Sequence, residues 1–118
     1  ELTGCHFRTV SFEPTSGKYG GEVCNGFHLH VTDREAFNSY KTSLALLQAI
    51  IQVHGEEFDY KEPPYEYEYH KLPMDLILGS QSLRKDIESG KNMDEIEQAW
   101  QEDLRAFLDI RENYLLYK

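Results

Sequence analysis

The residues CHFRTVSF at positions 5–12 and EVCNGFHLHV at positions 22–31 decide the fold class of this chain. Both stretches are rich in aromatic and β-branched residues that alternate with polar ones, which predicts two β-strands. The residues between them, EPTSGKYGG at positions 13–21, contain a proline and three glycines and therefore predict a turn. In the second strand the alternation places a thiol and two imidazoles on the face opposite the apolar residues: Cys24, His28 and His30.

The residues after position 31 predict helices. Thr32 and Glu35 have the spacing of a capping box, which predicts a short helical turn. Apolar periodicity between proline, serine, asparagine and glycine boundaries predicts four further helices, over residues 40–54, 73–78, 80–89 and 94–113. The last of these carries the longest apolar stripe, which we expect to be core: Ile96, Trp100, Leu104, Phe107, Leu108 and Tyr114. Early strands and late helices predict an α+β fold, in which a small sheet from the N-terminal strands packs with the C-terminal helices.

The composition indicates one globular domain. The chain has 118 residues, of which 40% are hydrophobic and 28% are charged. Its net charge of −9 disfavours nucleic acid and anionic membranes as partners. The only cysteines are Cys5 and Cys24, and we expect both to be reduced because nothing in the sequence demands a disulfide. No targeting segment is recognisable, so the sequence leaves open whether the protein is cytoplasmic or exported.

Cys24, His28 and His30 are the candidate metal ligands, since a thiolate and two imidazoles on one strand face can bind zinc. Their spacing is not that of a zinc signature, and no fourth ligand is evident. A packed thiol beside two half-exposed imidazoles explains the same residues. We expect this second arrangement, with no metal and no other cofactor.

The segment Tyr65-Glu66-Tyr67-Glu68-Tyr69 alternates strictly and predicts a short strand. Glu66 and Glu68 would then share one face about 7 Å apart, a separation at which paired carboxylates can hydrolyse glycosidic bonds. In an acidic chain we instead expect solvated glutamates and inward tyrosines. These aromatic residues suit a sugar ring, a protein interface or a core wall. No motif assembles a nucleophile, a base and an oxyanion hole.

Five strings are spread in order over nearly the whole chain: KYGGEVCNGF at 18–27, LHVTDR at 29–34, PYEYE at 64–68, KLPMD at 71–75 and YLLY at 114–117. Together they resemble the C-terminal region of the bacterial exo-β-N-acetylmuramidase family of the NamZ type. The resemblance implies a parent whose N-terminal Rossmann-like domain carries the catalytic acids. The C-terminal domain would pack against it and shape a cleft for a muramyl sugar or muropeptide, which is cleaved from its non-reducing end.

We therefore expect residues 1–118 to be a single accessory C-terminal domain of a larger two-domain protein, without turnover of its own. The resemblance suggests these substrate-binding residues: Cys24, Asn25, His28, Tyr65, Glu66, Tyr67 and Glu68. A domain that packs on a partner should expose an apolar patch. We expect this patch near the tyrosine segment (residues 58–69) and the strand that contains Gly26. Two alternatives remain: an interaction or structural module that uses the tyrosine-rich segment, and a small metal-binding domain.

Overall fold

The computed structural model describes residues 2–117 and divides the chain into two compact units, Glu1–Tyr40 and Lys41–Lys118. We call them the hairpin unit and the helical unit. The described residues form one antiparallel pair of strands and five α-helices, which confirms the predicted α+β class. The strands are β1 (Cys5–Phe12) and β2 (Cys24–Val31). The helices are α1 (Ser39–His54), α2 (Pro73–Leu78), α3 (Gln81–Glu88), α4 (Met93–Ala99) and α5 (Gln101–Glu112).

The hairpin unit is a regular antiparallel ribbon. Its register runs without a bulge from Cys5 opposite Val31 to Phe12 opposite Cys24. Gly4 closes the ribbon, because its carbonyl accepts the Thr32 backbone N–H at 2.9 Å. A side chain at Gly4, where φ is +71°, would lie 2.6 Å from the Asp33 carbonyl oxygen, so glycine is required there. None of residues 2–40 is fully buried.

The predicted capping box at Thr32 is wrong. The backbone N–H groups of Thr32 and Asp33 both donate to the Gly4 carbonyl, at 2.9 and 3.2 Å, and the Asp33 side chain acts as the cap. Its Oδ1 accepts the backbone N–H groups of Glu35 at 2.9 Å and Ala36 at 3.2 Å. The result is a single turn at residues 34–36 and no helix.

The helical unit contains the core. Leu44 of α1, Ile87 of α3 and Ile96 of α4 are 2%, 0% and 1% exposed. Six half-buried apolar residues pack around them: Leu47, Ile51, Leu78, Leu83, Met93 and Trp100. The predicted helix boundaries hold here, because Ser80 accepts the Leu83 N–H at 3.2 Å and Gly79 ends α2 at φ +70°.

The predicted long last helix is wrong. The chain leaves helical geometry at Trp100 (φ −102°, ψ 0°), which separates α4 from α5. The apolar stripe is divided at the same point, since Ile96 is buried whereas Leu104 and Phe107 are 40% and 59% exposed. α1, with 16 residues, is the longest helix of the described chain. No described helix combines the length and the apolar character needed to cross a membrane.

Candidate functional site

The hairpin separates residues that the sequence places side by side. Consecutive strand residues point to opposite faces, so Asn25 lies on one face while Cys24 and His28 lie on the other. The predicted trio of Cys24, Asn25 and His28 therefore does not form a single site. Each face of the hairpin has its own chemistry.

The Asn25 face joins polar and aromatic side chains. Ser11 Oγ donates to Asn25 Oδ1 at 2.7 Å. Further along, the rings of Phe7 and Phe27 meet edge to face, with their centroids 6.3 Å apart, and Phe27 is 63% exposed. An open depression of about 420 Å³ is lined here by Thr9, Val10, Ser11, Asn25, Gly26 and Phe27. This face therefore combines aromatic side chains, which a ligand can pack against, with the hydrogen-bonded pair Ser11 and Asn25 at one end.

The opposite face, which we call the imidazole face, carries His6, Arg8, His28 and His30. The register places His6 opposite His30 and Arg8 opposite His28. The His28 and His30 rings lie 4.3 Å apart between centroids, and Arg8 Nη2 lies 3.5 Å from His28 Nδ1. Partial desolvation, and after it the charges of His28, Arg8 and His6, lower the pKa of His30. The neighbouring nitrogen groups of this face therefore disfavour protonation of His30.

The structure does not bring Cys24 to the two histidines. His28 lies four positions after Cys24 along the strand, which corresponds to about 13 Å. Among residues 2–117, no group of three histidine, cysteine or acidic side chains is placed to hold a metal ion. Both cysteines are free, Cys24 is half-buried, and His28 and His30 are exposed. Cys5 and Cys24 stand at opposite ends of the ribbon, about 23 Å apart along the strands, which excludes a disulfide between them.

The tyrosine segment (residues 58–69) lies in the helical unit, and its residues 65–69 do not form the predicted strand. Tyr65 and Glu68 exchange two backbone hydrogen bonds of 3.0 Å, which closes a tight turn with Glu66 and Tyr67 at its tip. Glu66 adopts φ +52°, so the chain reverses where an extended strand was expected. Consequently Glu66 and Glu68 do not share a strand face.

Glu68 stabilises the end of this turn. Its carboxylate accepts the backbone N–H groups of His70 at 2.8 Å and Lys71 at 3.3 Å. The hydrogen bond from His70, foremost, holds the pKa of Glu68 below its ordinary value. A general acid of a glycosidase needs a raised pKa, so Glu68 is unsuited to that role.

The tyrosines divide between an inner and an outer group. The Tyr60 ring meets Phe58 at 4.9 Å and lies 5.8 Å from the Arg84 guanidinium. Burial, followed by the nearby charge of Glu88, raises the pKa of Tyr60 to about 12. By contrast, Tyr67 and Tyr69 are 93% and 64% exposed. Tyr60 is therefore packed between Phe58 and Arg84, whereas Tyr67 and Tyr69 are exposed to solvent.

A buried ion-pair network escaped the sequence analysis. Arg84 of α3 is only 9% exposed. Its Nε donates to Asp75 Oδ1 at 2.5 Å, and its Nη1 donates to Glu88 Oε1 at 2.6 Å. These hydrogen bonds raise the pKa of Arg84 and tie α2 to α3. The i,i+4 spacing of Arg84 and Glu88 could have predicted their ion pair. No local pattern indicated the second partner, Asp75 of α2.

The exposed apolar surface is larger than expected. Tyr67 and Tyr69 are exposed, which contradicts the expectation that the tyrosines point inward. Phe27 of β2 and Val23, which precedes β2, are exposed as well. α5 and the residues after it add a further set: Leu104, Phe107, Leu108, Ile110, Tyr114, Leu115, Leu116 and Tyr117. Leu104, Phe107 and Leu108 have the i, i+3, i+4 spacing of one helix face. We call this the α5 face.

Comparisons with known proteins agree with one another. A family model described as the C-terminal part of the exo-beta-N-acetylmuramidase NamZ matches residues 1–117. The chain is 32% identical over 116 residues to the peptidoglycan beta-N-acetylmuramidase NamZ of Bacillus subtilis, a match that covers 98% of this chain and 26% of that protein. It also superposes on the crystal structure of a DUF1343 family protein from Bacteroides fragilis, with a TM-score of 0.74 and 21% identity, covering 99% of this chain and 30% of that one. The latter similarity shows the fold.

Proposed function

This chain belongs to the family of NamZ C-terminal domains, and on that premise we propose that it is an accessory domain of a peptidoglycan exo-β-N-acetylmuramidase. Its 118 residues act as one C-terminal domain of a two-domain parent. In this proposal an N-terminal Rossmann-like domain supplies the catalytic acids, and the present domain completes a cleft for a muramyl sugar or muropeptide. The observation that carries the proposal is the hairpin, whose described side chains are all at least partly exposed.

The distribution of acidic groups supports a binding role rather than a catalytic one. Glycoside hydrolysis needs two carboxyl groups that flank the scissile bond, one of them with a raised pKa. The two candidates, Glu66 and Glu68, lie on a tight turn, and the pKa of Glu68 is lowered. The chemistry is therefore assigned to the partner domain.

The imidazole face supports substrate contact by the hairpin. His28 and its neighbours are exposed nitrogen donors on a ribbon of regular register, suited to bind the hydroxyl, amide and acid groups of a muramyl sugar. We assign Cys24 to the same face and Asn25, paired with Ser11, to the opposite one. On the helical unit, the proposed contact is the Tyr65–Glu68 turn, with Tyr67 and Glu66 at its tip.

The α5 face supports a partner domain in the same parent chain. A helix face with three exposed apolar side chains is typical of an interface between domains. The matched relative is about four times as long as the matching region, since the match covers 26% of it. We propose that the N-terminal domain of the parent covers Leu104, Phe107 and Leu108.

The proposal is tested in the full-length parent with a chromogenic N-acetylmuramide. His28→Ala should raise KM about tenfold and change kcat less, because it removes binding rather than chemistry. His54→Ala, at the exposed end of α1, is the matched control and should leave both constants unchanged. The isolated 118 residues should show no turnover. Turnover by them that Glu66→Gln or Glu68→Gln abolishes would overturn the proposal.

The exposure of Tyr67 favours a second candidate function. A ring that is 93% exposed at a turn tip suits a protein interface as well as a sugar. Tyr67→Ser in the full-length parent separates the two. A raised KM with an intact domain assembly indicates a sugar contact, whereas loss of a protein partner at constant KM indicates an interaction module.

A further inference from the structure

The hairpin differs in charge from the rest of the chain. The chain has 21 acidic residues and a net charge of −9, yet neither β1 nor β2 contains Asp or Glu. The two strands instead hold three of the five histidines and Arg8. An acidic domain repels anionic ligands, so this ribbon is a stretch of the chain that an anion can approach without facing a carboxylate on the same element.

The four basic side chains converge on one face. Positions 6 and 8 of β1 stand opposite positions 30 and 28 of β2. Arg8 reaches His28 at 3.5 Å, and the His28 and His30 rings are 4.3 Å apart. Within residues 2–117 no carboxylate forms an ion pair with Arg8. The guanidinium fork and two imidazole edges are therefore available together at the surface.

We propose that the imidazole face, His6, Arg8, His28 and His30, is a subsite for a carboxylate of the substrate. The inference rests on the proposed function and names the chemical group that this domain recognises. A planar guanidinium matches a carboxylate in a bidentate pair, and imidazole N–H groups supply further donors. A muramyl sugar carries a lactyl carboxylate, and a muropeptide carries carboxylates on its peptide. N-acetylglucosamine, which is neutral, lacks both.

The lowered pKa of His30 predicts how the binding of an anion to this face depends on pH. Desolvation, and after it the proximity of His28, Arg8 and His6, lowers the pKa of His30, and neither strand contains an acidic residue that would offset this. A bound carboxylate reverses this effect and favours the protonated ring. Binding should therefore take up protons and strengthen as the pH falls.

The test follows the histidine side chains of the 118-residue chain by NMR during titration with three probes. N-acetylmuramic acid should shift the ring resonances of His28 and His30, and N-acetylglucosamine should not. N-acetylmuramoyl dipeptide, whose lactyl group is an amide, distinguishes the two sources: shifts with the dipeptide indicate the peptide carboxylate, and shifts with the free acid alone indicate the lactyl group. On binding, the pKa of His30 should rise.

Arg8→Gln should weaken the binding of the acid about tenfold, the loss expected for a hydrogen bond to a charged group. Arg34→Gln, in the same unit but outside the strands, is the matched control and should bind like the wild type. Equal shifts with N-acetylglucosamine, or no shifts with either acid on a folded chain, would overturn the carboxylate subsite. A parent without muramidase activity would instead overturn the proposed function and leave carboxylate binding measurable.

Discussion

The hairpin unit and the helical unit of this chain are stabilised by different means. The helical unit has three fully buried apolar residues, contributed by α1, α3 and α4, and a buried arginine with two carboxylate partners. The hairpin unit has only a backbone ladder and half-buried side chains. A two-stranded ribbon is marginally stable by itself in water. The comparison indicates that the helical unit contains the stabilising core, and we propose that the hairpin presents surfaces for binding.

The first way to break this comparison is to remove a core side chain. Ile87→Ala should lower the free energy of unfolding by about 2–5 kcal/mol, because Ile87 is 0% exposed and a cavity would remain. Val31→Ala in the hairpin is the matched control. Val31 is 45% exposed, so we expect a loss of about 1 kcal/mol or less. Urea unfolding measures both, and similar losses would show that the two units do not differ in this way.

The second prediction concerns the buried charges. Arg84→Met should lower the free energy of unfolding by about 3 kcal/mol, because Asp75 is left buried without its partner. The value lies at the lower end of the usual range, since the Glu88 side chain is 34% exposed and can turn to water. Arg105→Met, on exposed α5, should change stability by about 0.5 kcal/mol or less. A small loss for Arg84→Met, equal to that of the control, would mean that the network does not hold α2 to α3.

Local sequence signals predicted most of the fold. The two strands, α1, and the boundaries of α2 and α3 follow from alternation, proline, serine and glycine, which act within a few residues. The failures depend on distant contacts. Nothing near Trp100 indicates that the helix ends there, and the turn at Glu66 overrides a strictly alternating pattern. For the site, the alternation of side chains along a strand correctly predicted that Cys24 and His28 share a face. Their neighbours His6 and Arg8 on the other strand could not be predicted, because the strand register is not encoded in a local pattern.

The third prediction extends the comparison into the helical unit. Phe107 was expected in the core, but it is 59% exposed. Phe107→Ala should therefore cost about 1 kcal/mol or less in the 118-residue chain. In the full-length parent the same substitution should weaken the attachment of the domain, because we propose that the α5 face is the interface. Limited proteolysis between the domains measures this, and equal cleavage of variant and wild type would remove α5 from the interface.

The smallest effect on stability is expected from Glu68 in the turn of the tyrosine segment, and this effect depends on pH. The pKa of Glu68 is lowered mainly by the His70 N–H, so the folded chain favours the ionised form. Its contribution to stability is complete above the unfolded pKa and is lost as the pH falls through the lower, folded pKa. NMR titration should show Glu68 protonating below the ordinary value of 4.5, with the His70 amide shifting at the same pH. Glu68→Gln should remove that step and leave the Ile87 resonances unchanged, since Ile87 belongs to the core cluster with Leu44 and Ile96 and not to the tyrosine segment. Titration of Glu68 at or above its ordinary value would show that its carboxylate does not hold the turn.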